Sequence, residues 1–146
     1  MSVIYTDITL KNTGDAAMAM RGIIKEQTVR QVSVMAMVDT GAGTLVINEA
    51  TCQKLGLAIE GLRRSSLADS SKTICKVTEP VRVHWKDRKT ACPALVLPNT
   101  DEILLGAIPL EDMDLIVNPA AGELAGAHGD EVLCMIKQAT DKALRW

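Results

Sequence analysis

Phenylalanine is absent from this 146-residue chain, tyrosine occurs once and tryptophan twice. Val, Ile, Leu, Met and Ala must therefore fill any core, and the β-branched members favour pleated sheet. In a chain without Phe, Met18, Met20, Met35, Met37, Met113 and Met135 are expected as pliable core fillers. There is no basic block, and the formal net charge is −2 with mixed signs, which argues against nucleic acid or an anionic membrane as a partner. The short clusters Arg63-Arg64 and residues 86–89 read as solvated loop charges. No apolar run approaches the ~20 residues needed to cross a bilayer. No basic stretch followed by an apolar run marks a secretory signal at the N-terminus. A soluble, cytoplasmic protein is expected. None of Cys52, Cys75, Cys92 and Cys134 forms a C-x-x-C pair, and His84 and His128 are far apart in sequence. Free thiols and no zinc site are expected.

What is present is enough for one globular domain. The chain is 47% hydrophobic, and its length can bury a core without disulfides. Residues 4–10 alternate apolar and polar, as a half-buried strand does. Asn12-Thr13-Gly14-Asp15 signals a turn. Residues 16–24 fit either a strand or a short helix opened by Asp15. Residues 29–38 are strongly β and run into Asp39-Thr40-Gly41. Residues 44–47 predict a short strand. Asn48 then caps a helix over 49–55 that Gly56 stops.

A polar-tipped hairpin is expected over 67–77, around Asp69-Ser70-Ser71. Strands over 81–85 and 91–97 flank a turn at residues 86–89. A short strand over 102–105 ends at Gly106. A short helix follows over 109–113, with Pro109 in its first turn. Residues 115–117 form a strand, 120–130 a loop, and 132–136 a last strand. Short strands, close turns and one or two short helices make a mostly-β barrel or sandwich.

Two segments carry candidate chemistry. Met37-Val38-Asp39-Thr40-Gly41-Ala42 sets an acidic turn between apolar strands, and Ile103-Leu104-Leu105-Gly106 precedes Ala107-Ile108-Pro109-Leu110. Alone, D-T-G is a weak signal, and Asp-x-Gly turns are common. The two elements in this order are far more specific. Together they resemble the retropepsin-like (clan AA) single-domain aspartic proteases of bacteria and archaea. The similarity runs over residues 1–137, with 138–146 as a C-terminal tail, and is strongest from Leu104 to Asp114.

The resemblance implies a retropepsin-like closed β-barrel or sandwich, homodimeric, acting as an aspartic endopeptidase on peptide or protein substrates. No metal or organic cofactor is implied. Asp39 would be the catalytic carboxylate. Thr40 would interlock with its twin across the dimer axis, and Gly41 would let the turn close on Asp39. Ala42, Ala68, Asp69, Ser70 and Ile108 are the implied substrate-contacting positions. Such hydrolysis needs two carboxylates, one accepting a proton from water and one donating to the scissile carbonyl. Close carboxylates titrate as a pair; aspartic proteases are a standard example of this effect. The chain has one D-T-G, so the second carboxylate has to come from a second subunit across a two-fold axis. Ala42 stands where many acid-active relatives carry a hydroxyl, which implies a mildly acidic to neutral working pH. Asp7, Asp112 and Asp114 are alternative carboxylate partners, or, for the last two, a metal pair. Solvated or capping roles fit all three better.

The pattern also departs from the family. No glycine lies between Gly61 and Gly106, although relatives carry glycine near Ser70 or Ser71 at the tip of the flap over the cleft. The aromatic residue of that flap is missing too. A tip turn needing positive φ would then cost energy. A non-catalytic peptide-binding or dimerisation module of the same fold is thus a competing reading, and a plain scaffold a third. The apolar segment 132–136 fits either a strand interleaved between subunits or one in the monomer core.

Overall fold

The computed structural model describes residues 3–129. The expected strand 132–136 and tail 138–146 lie outside them. The described chain is mostly β. Strand β1 (Tyr5–Asn12) leads into helix α1 (Thr13–Met20), and β2 (Gln31–Val38) follows a single 3-10 turn at Glu26–Thr28. Next come β3 (Leu45–Ile47), α2 (Glu49–Leu55), β4 (Ile59–Ser66), β5 (Lys72–Trp85) and β6 (Arg88–Val96). The last elements are β7 (Leu104–Leu105), α3 (Ala107–Asp112), β8 (Leu115–Asn118) and β9 (Glu123–Gly126).

Seven strands share one sheet in the order β1-β2-β7-β3-β6-β5-β4, and β1 also pairs with β5. The pairings therefore run in a ring of six strands, with β4 outside it at the edge. The period-2 pattern explains the core. Ile8 and Leu10 of β1, Val81 and Val83 of β5 and Ala94 and Val96 of β6 point inward with Leu45, Ile47, Leu55 and Leu105. Truncating one of the buried leucines to alanine should cost about 2–5 kcal/mol.

Helix α1 resolves the ambiguous segment. Asn12, rather than Asp15, caps it, with its side-chain oxygen accepting the Asp15 N–H at 2.9 Å. Alanine-rich composition favours the helix over a strand, so the Asn12–Asp15 turn is its opening. Helix α2 is as expected, with Asn48 accepting from the Thr51 N–H at 2.8 Å and Gly56 closing it at φ 61°.

Several expectations are corrected. There are three α-helices among the described residues, not one or two. Residues 120–130 are not all loop, because β9 pairs with β8. The hairpin is longer than expected, since β4 pairs with β5 from Ile59 onward. Arg63 and Arg64 thus lie in a strand. Arg88 is buried, and its guanidinium donates to the carbonyls of Met113 (2.8 Å), Asp114 (2.7 Å) and Gly129. It ties the β8–β9 hairpin to the main sheet. Of the methionines, Met113 is a core residue, but Met18, Met20 and Met35 are exposed. Cys52, Cys75 and Cys92 are free thiols, and all three are buried.

β5 crosses from the edge hairpin into the ring through a bulge between Val77 and Pro80. Proline has no N–H for a ladder, and bulges are where strands accept it. Thr78 fills the gap, its hydroxyl accepting the Ala94 N–H at 3.0 Å.

Candidate active site

β7 runs between the two strands that flank the D-T-G loop, giving the local order β2-β7-β3. It is parallel to β2, with Met37 opposite Leu104 and Val38 opposite Leu105. Main-chain bonds tie the loop on both sides. Met37 N–H donates to Ile103 (2.8 Å) and Asp39 N–H to Leu105 (3.0 Å). Beyond the turn, Ala107 N–H donates to Ala42 (2.8 Å) and Ile108 N–H to Gly43 (3.1 Å). The two segments paired in the sequence reading are thus one hydrogen-bonded unit. Gly106 is required there, because a Cβ would lie 2.1 Å from the Thr44 carbonyl oxygen.

Asp39 leaves the end of β2 half-buried. Its Oδ1 accepts the Gly41 N–H at 3.0 Å, and its carbonyl accepts the Ala42 N–H at 3.1 Å. A Cβ at Gly41 would sit 3.2 Å from that carboxylate oxygen, so glycine permits the close approach. The turn aims a backbone dipole at the carboxylate and leaves its other oxygen without a described partner. Thr40 is exposed at the turn, and its hydroxyl makes no hydrogen bond among the described residues.

The alternative carboxylates are occupied elsewhere. Asp112 accepts from the Thr90 hydroxyl at 2.5 Å, and Asp114 meets His128 Nδ1 at 2.6 Å. Asp7 is exposed on the outer face of β1, beside a concavity of about 560 Å³ that also takes in Thr9, Ser33 and His84. Burial first, and then Lys11, Lys89 and Arg82, hold His84 below the ordinary imidazole range. No D-T-G residue lines that concavity. Among the described residues no three His, Cys, Asp or Glu side chains cluster as metal ligands.

A smaller cavity of about 100 Å³ adjoins the loop. It is lined by Thr44, Arg63, Val77, Pro93, Ala94, Leu95 and Ile108. Ile108, expected to meet substrate, does lie beside the loop and is 55% exposed. Ala68, Asp69 and Ser70 are at the distal tip of the β4–β5 hairpin and line neither cavity. Arg63 and Val77 were missed, because they meet Thr44 and Ile108 only in a cavity assembled from segments distant in sequence.

The hairpin tip takes a definite turn. Ser70 N–H donates to Leu67 (3.0 Å) and Leu67 N–H to Ser71 (2.8 Å). Ser70 sits at φ 71°, the position where this hairpin geometry favours glycine. The Ser71 N–H (2.9 Å) and hydroxyl (2.5 Å) both donate to Asp69 Oδ1, which lowers the Asp69 pKa.

A loop clamped in this way, with a glycine amide on its aspartate and hairpin residues Arg63 and Val77 in the cavity beside it, defines an aspartic-protease-like domain. The chain belongs to the aspartyl protease family, whose profile matches residues 26–108, more than half of it. No curated protein matches the sequence. Among solved structures, the chain is similar to the retroviral protease-like domain of Ddi1 from Leishmania major, with a TM-score of 0.53 and 14% identity. That match covers 90% of this chain and 91% of the other, and shows a shared retropepsin-like fold. No helix among the described residues is long and apolar enough to cross a membrane.

Proposed function

We propose that the chain is one half of a homodimeric, cytoplasmic aspartic endopeptidase, built on a closed barrel, with Asp39 of each subunit in a shared site. The ionised Asp39 takes a proton from a water molecule while the water oxygen bonds to the scissile carbonyl carbon. Asp39 of the partner subunit donates its proton to the carbonyl oxygen. The tetrahedral diol then collapses, the C–N bond breaks, and the leaving amine takes a proton from the pair. The peptide lies extended as an added strand between the hairpin and the loops.

The observation that carries this reading is the clamp on Asp39: β7 fixes one end of its loop, the start of α3 fixes the other, and the Gly41 amide fixes one carboxylate oxygen. The unbonded Thr40 hydroxyl beside it suits a contact completed by a second copy. The test is cleavage of a broad peptide library. Activity should be lost in Asp39→Asn and blocked by a statine-type inhibitor, with the fold intact by circular dichroism. Cleavage that survives Asp39→Asn overturns the reading.

One observation favours the second reading, a peptide-binding or dimerisation module without turnover. Ser70 holds a left-handed conformation that costs a non-glycine residue about 1–2 kcal/mol, and a strained tip would hinder closure over substrate. Peptide affinity with no product would support that alternative.

A further inference from the structure

We propose that the cavity between the hairpin and the Asp39 loop is a substrate subsite for an acidic side chain, with Arg63 as its specificity-determining residue. This rests on the peptide-cleft reading above. At about 100 Å³ the cavity suits one side chain, and is well below the roughly 300–1,000 Å³ of small-molecule sites. Its walls at Val77, Leu95 and Ile108 are apolar and suit a methylene stem. Arg63 is the single charged residue in the lining.

Register fixes which arginine matters. Arg63 lies opposite Cys75, which is buried, whereas Arg64 lies opposite Ile74, which is 59% exposed. Directly opposed residues share a sheet face, so Arg63 is on the face toward the body of the domain and Arg64 on the face away from it. Arg63 makes no ion pair among the described residues, whereas Lys11, Arg30 and Lys76 pair with Glu26, Asp15 and Glu49. The Thr44 hydroxyl already donates to the Pro93 carbonyl at 2.8 Å, which leaves Arg63 as the donor for an incoming carboxylate. From Gly61 to Val77 the hairpin carries Arg63, Arg64, Lys72 and Lys76 against Asp69, and with Lys76 paired to Glu49 the segment keeps a net positive charge. An acidic substrate segment complements that field.

The test uses peptides that differ at one position near the scissile bond, carrying Glu, Gln, Leu or Lys, with that position scanned along the peptide. At one position Glu should exceed Gln in kcat/KM by on the order of tenfold, the scale of one charge-assisted hydrogen bond. Arg63→Gln should abolish that preference, Arg63→Glu should shift it toward Lys, and Arg64→Gln should leave it unchanged. A Glu preference at no position, or one indifferent to Arg63, overturns the proposal. The same peptides titrated against Asp39→Asn by fluorescence anisotropy separate the two readings. Arg63-dependent binding of the Glu peptide without wild-type cleavage sinks catalysis but upholds the subsite. Absence of both binding and cleavage sinks the subsite as well.

Discussion

Gly106 and Thr44 are packed so closely that a Cβ on Gly106 would lie 2.1 Å from the Thr44 carbonyl oxygen, and 2.6 Å from that of Ala42. Both obstacles are backbone, so no side-chain rotation relieves them. The same carbonyl of Ala42 accepts the Ala107 N–H that anchors the loop. Gly106→Ala should therefore push the D-T-G loop off β7. Overpacking of this kind costs about 1–3 kcal/mol, measurable by urea denaturation. Cleavage should fall by more than the folded fraction does, because the displaced element carries Asp39. Full activity in a stable Gly106→Ala protein would refute the clamp.

A shared site makes a quantitative prediction for mixed subunits. When wild-type and Asp39→Asn chains are denatured together in equal amounts and refolded at constant total concentration, random pairing leaves about one quarter of the dimers with two carboxylates. Activity should then be about one quarter of the all-wild-type value. A site complete in each chain would retain about one half. The outcome also discriminates a dimer that forms through some other face, which would follow the second value.

The strain at Ser70 is removable. Ser70→Gly takes away the Cβ penalty of the left-handed tip, though glycine's greater freedom in the unfolded chain offsets part of the gain. The net expectation is a stability increase of up to about 1 kcal/mol and a small rise in melting temperature. If the tip also limits closure over substrate, kcat should rise while the unfolding m-value stays constant. A drop in stability would mean that the serine hydroxyl contributes something the turn geometry does not reveal.

Much of this was legible in the residues themselves. Local signals worked where the physics is local: Asn48 and Gly56 bracket α2, and alternating apolar residues mark β1. The pairing of Asp39-Thr40-Gly41 with Ile103-Leu104-Leu105-Gly106 led to the site because β7 runs between the strands flanking the turn. The misses depend on distant partners. Nothing near Arg88 in sequence announces that its guanidinium would meet carbonyls at 113, 114 and 129. Arg63 acquires a place in a cavity only where the hairpin meets Thr44, residues 93–95 and Ile108. Asn12 rather than Asp15 caps α1, and Asp15, inside the first turn, is engaged by Arg30, fifteen residues later.

That engagement of Asp15 yields the pH prediction. Arg30 Nε donates to Asp15 Oδ2 at 2.8 Å and Nη2 to Oδ1 at 3.0 Å, while the Arg30 backbone N–H adds a third bond at 3.0 Å. The side-chain bonds to Arg30 come first, then its backbone bond, in holding the Asp15 carboxyl below the ordinary range. A depressed folded-state pKa means that the contribution to stability is complete above the unfolded value of about 3.9. It fades as pH falls below that value toward the folded one. Asp15→Asn should destabilise the protein at neutral pH by about 1–3 kcal/mol. The lower end is expected, because the Arg30 side chain is half exposed and solvent screens the pair. The difference between wild type and Asp15→Asn in urea-melt midpoint should be constant from pH 7 to pH 5 and shrink in the acid limb below about pH 4. The same network reaches α2, since the Arg30 guanidinium occupies the space a Cβ on Gly56 would need and the Asn12 amide donates to the Leu55 carbonyl at 2.8 Å. Protonating Asp15 should therefore loosen the α1 and α2 ends together, read as faster amide exchange at both, and leave exchange around β7 and the D-T-G turn unaffected.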